Sequence, residues 1–208
     1  NAPKENEIEI EVKSAAFNAS DIGLFETIIG CSGLISSVGE GVIGLKPGDE
    51  VVALVPQRLS RYAITDYRLA TLKPSALSFD QVAAVVMPFT TAHYMLDTLA
   101  RINKGETLLV CDAVDSIGVA VIQLLKDSGT KVLAVSGDEI GLQSLLEMGL
   151  PHVFNSNDYN FSSDIREHTQ GRGVDVVINS LGGISLPDCT PVLSNYVRFI
   201  ETESSEMS

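Results

Sequence analysis

The stretch TLLVCDAVDSIGVAVIQLLKDSGTKVLAVS, residues 107–136, decides the fold. Thr107 to Asp112 is an apolar run of strand length ending on an acid. Ile117 to Lys126 carries apolar residues on one face at helical spacing. Lys131 to Ser136 is a second apolar run. Strands that read as unbroken apolar runs and alternate with helices belong to a parallel sheet covered on both faces. The pattern continues downstream. A helix is expected at Ile140 to Met148, a short strand at His152 to Phe154 and a helix at Phe161 to Thr169. Val174 to Ser180 is the next strand; a looser connection with Pro187 and Pro191 precedes a last one at Val197 to Glu201. These make five strands of a doubly wound α/β sheet that usually has six, so its C-terminal part is expected to be incomplete.

Upstream the pattern differs. Ile8, Ile10 and Val12 alternate with Glu9, Glu11 and Lys13, the period of a half-buried strand. Short β-like runs follow at Leu34 to Val38, Glu50 to Val55 and Tyr62 to Thr65. Gly39, Gly41, Pro47-Gly48-Asp49 and Pro56 punctuate them. Ser78-Phe-Asp-Gln81 has the form of a capping box opening a helix, and a second helical stretch is expected from about Thr90 to Ile102. Residues 1–77 are therefore expected to form a small β-rich subdomain. Residues 78–208 form the parallel-sheet part, with connecting helices at 78–103.

Composition narrows the function. With 14 basic against 27 acidic residues the formal charge is −13, which repels nucleic-acid backbones and anionic lipid. Neither nucleic acid nor membrane is an expected partner. Cys31, Cys111 and Cys189 are widely spaced and odd in number, which suits a reducing, cytoplasmic compartment better than a disulfide framework. His93, His152 and His168 lack metal-ligand spacing, so no metal site is expected. The longest apolar stretch, Val82 to Phe89, is too short to span a bilayer. The absence of an initiator Met suggests a piece of a longer chain.

In doubly wound sheets the first strand-to-helix turn carries glycines that let a dinucleotide pyrophosphate approach the helix N-terminus. Here the turn is Asp112-Ala-Val-Asp-Ser-Ile-Gly118. Only Gly118 remains of the expected set, and two carboxylates stand beside it.

Further pieces carry a resemblance. Phe17-Asn-Ala-Ser-Asp21, Gly30-Cys-Ser-Gly33 through Val38-Gly39, and Leu45-Lys-Pro-Gly-Asp49 are three of them. Pro88-Phe-Thr-Thr-Ala-His-Tyr94, Lys104-Gly-Glu106, Asn155-Ser-Asn-Asp158 and the distinctive block Gly171 to Leu181 follow in order. Together they resemble the zinc-free enoyl reductase domain of fungal highly reducing iterative polyketide synthases and animal-type fatty acid synthases. That family lies within the medium-chain dehydrogenase/reductase superfamily. The resemblance implies a GroES-like β-rich subdomain followed by a Rossmann-like doubly wound parallel sheet. It also implies hydride transfer from NADPH to a carrier-tethered enoyl thioester, inside a parent synthase of the acyltransferase type.

The departures are at the cofactor. The family turn resembles Ala-Gly-Gly-Val-Gly, and its leading glycines fall on Asp115 and Ser116. After the second strand the family holds the 2′-phosphate with Ser, Lys and Arg; these positions are Asp138, Gly141 and Leu142 here. No Lys or Arg occurs between Lys131 and Arg166. The lysine is also a candidate proton donor in the family, so Asp158, which matches its other candidate acid, is left without its partner at Gly141.

Several residues carry two readings. Asp115 suits an N-cap of the following helix, a role compatible with loss of cofactor. Asp158 suits a proton donor or a turn acid. Asn18 and Asp21 match a substrate-side motif, yet both types close turns. Thr90 and Thr91 suit a nicotinamide pocket or a helix cap after Pro88. Asn179 and Ser180 end a strand where such folds bind ligands, or form a plain turn. His93 and Tyr94 are expected to pack between subdomains, and Cys111 to be an inert core residue. The functional expectation is an enoyl reductase-like pseudo-enzyme that does not bind NADPH productively. It would organise neighbouring synthase domains and pair in a homodimer, with enoyl reduction skipped or supplied by a trans-acting enoyl reductase. The alternative is an active NADPH-dependent enoyl reductase. The segment between Asp21 and Gly30 is shorter than the family's loop.

Overall fold

The computed structural model describes residues 2–17, 28–56, 60–179 and 189–201. Asn18, Asp21 and Ser180 lie outside them. The chain forms two compact units that divide between Pro88 and Phe89.

The first unit is an antiparallel sheet of five strands, β1 (Glu7–Ala16), β2 (Ile28–Val38), β3 (Glu50–Pro56), β4 (Tyr62–Asp66) and β5 (Ala70–Leu72), in the order β4-β1-β2-β3-β5. The alternation in β1 buries Ile8 and Ile10 completely, and they pack with Ile29, Cys31, Ile35, Val51 and Val55. β2 begins six residues before the expected Leu34. Its first half is interrupted by Gly30 and Gly33, yet Ile29 to Gly33 are buried within the sheet. A Cβ at Gly33 would lie 2.2 Å from the Glu11 carbonyl oxygen, where the pairing with β1 slips out of register. Close backbone approach of this kind is a known use of strand glycine. β5 has no counterpart among the expected strands.

Ser78 opens α1 (Phe79–His93) as the capping box requires. Its Oγ accepts from Gln81 N at 3.2 Å, and Gln81 Oε1 accepts from Ser78 N at 2.9 Å. The expected break before a second helix at Thr90 does not occur, because α1 runs on through Pro88. Proline removes one helical hydrogen bond and clashes with the preceding turn. Here Val82, Ala83 and Ala92 keep the helix face buried on both sides of it. The chain then widens into a π turn, Tyr94–Ala100, which Arg101 closes in the left-handed conformation at φ 48°.

The second unit is a parallel sheet of β6 (Thr107–Cys111), β7 (Lys131–Ser136), β8 (Val153–Asn155), β9 (Val174–Asn179) and β10 (Leu193–Glu201), ordered β10-β9-β6-β7-β8. Helices α2 (Ser116–Leu125), α3 (Glu139–Glu147) and α4 (Phe161–His168) connect the strands. β6 shows why its run is apolar throughout. Leu108 and Val110 pack with α2, Leu145 of α3 and the π turn, whereas Leu109 and Cys111 pack with Phe161, Ile165 and Val192 on the other face. Only β10 departs by more than a residue or two, starting at Leu193 instead of Val197. Arg198 ties it down. Its guanidinium donates to Ala100 O at 2.6 Å and to Glu106 Oε1 at 2.5 Å. Among the described residues no helix is long and apolar enough to cross a membrane.

Candidate cofactor crevice

The carboxyl ends of β6 and β7 and the N-termini of α2 and α3 form the place where such sheets bind dinucleotides. β6 ends at Cys111, and Asp112 turns the chain sharply at φ 51°. Ala113 N still reaches back to Val135 O at 2.9 Å. Asp115 is the N-cap of α2, its Oδ1 accepting the backbone N–H of Gly118. Ser116 is the first, exposed residue of the helix. Gly118 is required here. A Cβ on it would lie 2.8–2.9 Å from the Cα, C and O of Ala113, so only glycine lets α2 start this close to β6. The part of the glycine signature that packs helix on strand is therefore intact, and the part that admits a phosphate is occupied by a carboxylate.

The second turn repeats the arrangement. Asp138 caps α3, with Oδ1 accepting from Gly141 N at 2.8 Å and Oδ2 lying 3.3 Å from Ser136 Oγ. A Cβ at Gly141 would meet Ser136 Oγ at 2.4 Å, and Asp138 Oδ2 and Val114 Cγ1 at 3.0 Å. Gly141, expected at the family's lysine position, is thus packed against both turns. Leu142 is half-buried. Asn157 Nδ2 donates to Gly137 O at 2.6 Å and ties the turn after β8 to the turn after β7.

Charge accumulates at these ends. Burial, followed by the charge of Asp138, raises the Asp112 carboxyl above its ordinary value. No lysine or arginine lies in the sequence from 132 to 165 to offset it. One backbone donor at each helix N-terminus, the Gly118 N–H or the Gly141 N–H, is held by the chain's own carboxylate, Asp115 or Asp138. This makes the two turns a poor fit to the phosphates of NADPH.

The remaining candidates lie on other elements, with Asn179 alone beside the end of β6. Asp158 is exposed, and its Oδ1 accepts from Asn160 N at 3.0 Å in the turn leading to α4. Asn179 ends β9 in register with Cys111 and Glu201; it is 1% exposed and its Nδ2 donates to Glu201 Oε1 at 3.3 Å. Thr90 and Thr91 lie inside α1, so the capping reading for them fails; Thr91 is half-buried. Tyr94 is 53% exposed, and His93 is exposed beside Asp97, its Nε2 3.2 Å from Asp97 Oδ2. Glu201 and Ser136 were missed by residue type, because their roles come from partners distant in sequence. A cavity of about 690 Å³ lies at the opposite, amino edge of the sheet, lined by Ile122, Lys126, Lys131, Leu150 and His152 among others. It is the wrong edge for a dinucleotide.

The two-part architecture is that of the medium-chain dehydrogenase/reductases, a GroES-like antiparallel sheet followed by a Rossmann-like parallel one. The zinc-binding dehydrogenase family matches residues 116–200. Among the described residues, no group of three or more His, Cys, Asp or Glu side chains is placed to hold a metal. The CurK enoyl reductase crystal structure superposes with a TM-score of 0.86 at 32% identity, over 97% of this chain and 67% of that one. An Escherichia coli quinone oxidoreductase solved with NADPH matches at 28% identity and a TM-score of 0.79, over 93% of this chain and 64% of that one. A mycocerosic acid synthase-like polyketide synthase of Mycobacterium tuberculosis is 35% identical over 96% of this chain. Highly-reducing polyketide synthase 1 of Aureobasidium melanogenum is 35% identical over 98%. This chain belongs to the enoyl reductase domains of polyketide synthases. It spans 10% of the length of those two synthases.

Proposed function

We propose that this chain is an enoyl reductase-type domain of a highly reducing, iterative polyketide synthase that has lost productive NADPH binding and acts as architecture. One observation carries the reading. At both helix N-termini where phosphates would lie, a carboxylate of the chain itself, Asp115 or Asp138, caps the helix. Such a cap satisfies the same donors and repels a polyanion. Loss of the lysine position to Gly141 removes a candidate proton donor as well. The residues at 1–77 form the substrate-side part and those at 78–208 the nucleotide-type part. The domain organises its neighbours in a cytoplasmic megasynthase of fungal type and pairs across a homodimer axis, and a separate reductase acts in trans where the enoyl step is needed.

Titration of the chain with NADPH by fluorescence and calorimetry tests this. No saturable binding up to millimolar cofactor is expected; micromolar affinity would overturn the proposal. It would favour the alternative, an active NADPH-dependent reductase of carrier-tethered enoyl thioesters. The retained close packing at Gly118 supports that second reading.

A further inference from the structure

Two of the three cysteines, far apart in sequence, meet in the fold. Cys111 is the last residue of β6, and Cys189 precedes the 3-10 turn Thr190–Val192 that leads into β10. Both are fully buried and share one core layer with Phe161, Ile165, Val177 and Val192. Their side chains are hydrogen-bonded to each other, and this bond, ahead of burial, raises the Cys111 thiol well above its ordinary value. Cys31 lies in the core of the other unit, where burial pushes its thiol up to about 11.

A buried cysteine is most often a small hydrophobe. The pairing gives these two a further chemistry, because thiols already in contact react with one another as an intramolecular pair. We propose that Cys111 and Cys189 form an oxidisable dithiol that closes to a disulfide with a peroxide or a low-molecular-weight disulfide as oxidant. Both S–H bonds break and one S–S bond forms. The two protons and two electrons pass to hydrogen peroxide, whose O–O bond breaks to give two waters. With a disulfide oxidant they leave as two small thiols. The attacking species is a thiolate, so the raised Cys111 thiol makes the step slow at neutral pH. The product fastens the end of β6, one residue before the crevice turn at Asp112, to the start of the β10 segment. It closes a long loop, which restricts the unfolded chain.

The test is incubation of the folded chain with hydrogen peroxide or glutathione disulfide, alkylation under denaturing conditions, and intact-mass and peptide analysis. The expected product is lighter by two hydrogens before labelling, carries its alkyl group on Cys31 alone, and joins the Cys111 and Cys189 peptides. It unfolds at a higher temperature than the reduced chain, and dithiothreitol reverses it. In the guanidinium-unfolded chain all three pairings are expected. Cys111→Ser and Cys189→Ser each abolish the folded-state product. Three alkylatable thiols after prolonged oxidation would overturn the proposal. So would crosslinks to Cys31 as frequent in the folded as in the unfolded chain, or oxidation of Cys111 to a mixed disulfide without the internal bond.

Discussion

Replacing both residues that stand in for the turn glycines, as Asp115→Gly/Ser116→Gly, should recover dinucleotide binding at a small loss of stability. The Asp115 carboxylate sits on the Gly118 N–H. A pyrophosphate oxygen sharing that donor would lie about 4 Å from it. Two unit charges at that distance repel by about 4 kcal/mol at an effective dielectric near 20, a factor of roughly a thousand in affinity. Glycine is itself an acceptable N-cap, so the first change costs only a few tenths of a kcal/mol. The second, at the first helical position, costs up to about 1 kcal/mol. A chain of this size should lose roughly 2–4 °C in thermal midpoint per kcal/mol. The variant should bind NADH, which has no 2′-phosphate, more tightly than NADPH, because Asp138, Gly141 and Leu142 remain unchanged. Calorimetry at two ionic strengths is the assay. Salt should strengthen any residual wild-type binding more than that of the variant, since only the wild type works against the Asp115 charge. A variant that melts within a few degrees of wild type yet binds neither dinucleotide more tightly would refute the electrostatic reasoning.

Three further outcomes are expected. Gly30→Ala should destabilise the chain by about 1–3 kcal/mol in denaturant unfolding, because the new Cβ would lie 2.4 Å from Val86 Cγ1 and 2.8 Å from Ala83 O. Arg198→Ala should cost about 2–3 kcal/mol, since it leaves Ala100 O and Glu106 without their charged donor. Asp112→Asn should raise the thermal midpoint near neutral pH, with the gain vanishing in acid. The folded state binds the Asp112 proton more tightly than the unfolded state. The stability this residue contributes is therefore complete below the unfolded carboxyl value and lost as pH rises through the folded one. Asparagine removes that loss and tolerates the left-handed backbone at this position. An unchanged difference between the two proteins across a pH series of melting curves would contradict it.

Much of the parallel sheet was legible because its signals are local. The apolar runs of β6, β7 and β9 and the helix faces of α2 and α3 repeat over a few residues, and burial on both sides of the sheet imposes that composition directly. The capping box at Ser78 and the N-cap at Asp115 were legible for the same reason, donor and acceptor being three residues apart. What escaped depended on distant neighbours. The glycine-rich half of β2 is a strand because β1 and β3 flank it. Pro88 sits within a helix because core contacts on either side outweigh one missing hydrogen bond.

The sequence by itself determined the alternation of strands and helices, the acidic residues of the two crevice turns and the missing basic residues after β7. Residue type and short spacing are sufficient for each. Only the tertiary structure decided what those acids do. Asp138 lies close enough to Asp112 to raise its carboxyl, and Gly141 is hemmed in by Ser136, Asp138 and Val114. It also brought Cys111 against Cys189. These are meetings across turns and layers, set by how strands order in a sheet and which faces they bury.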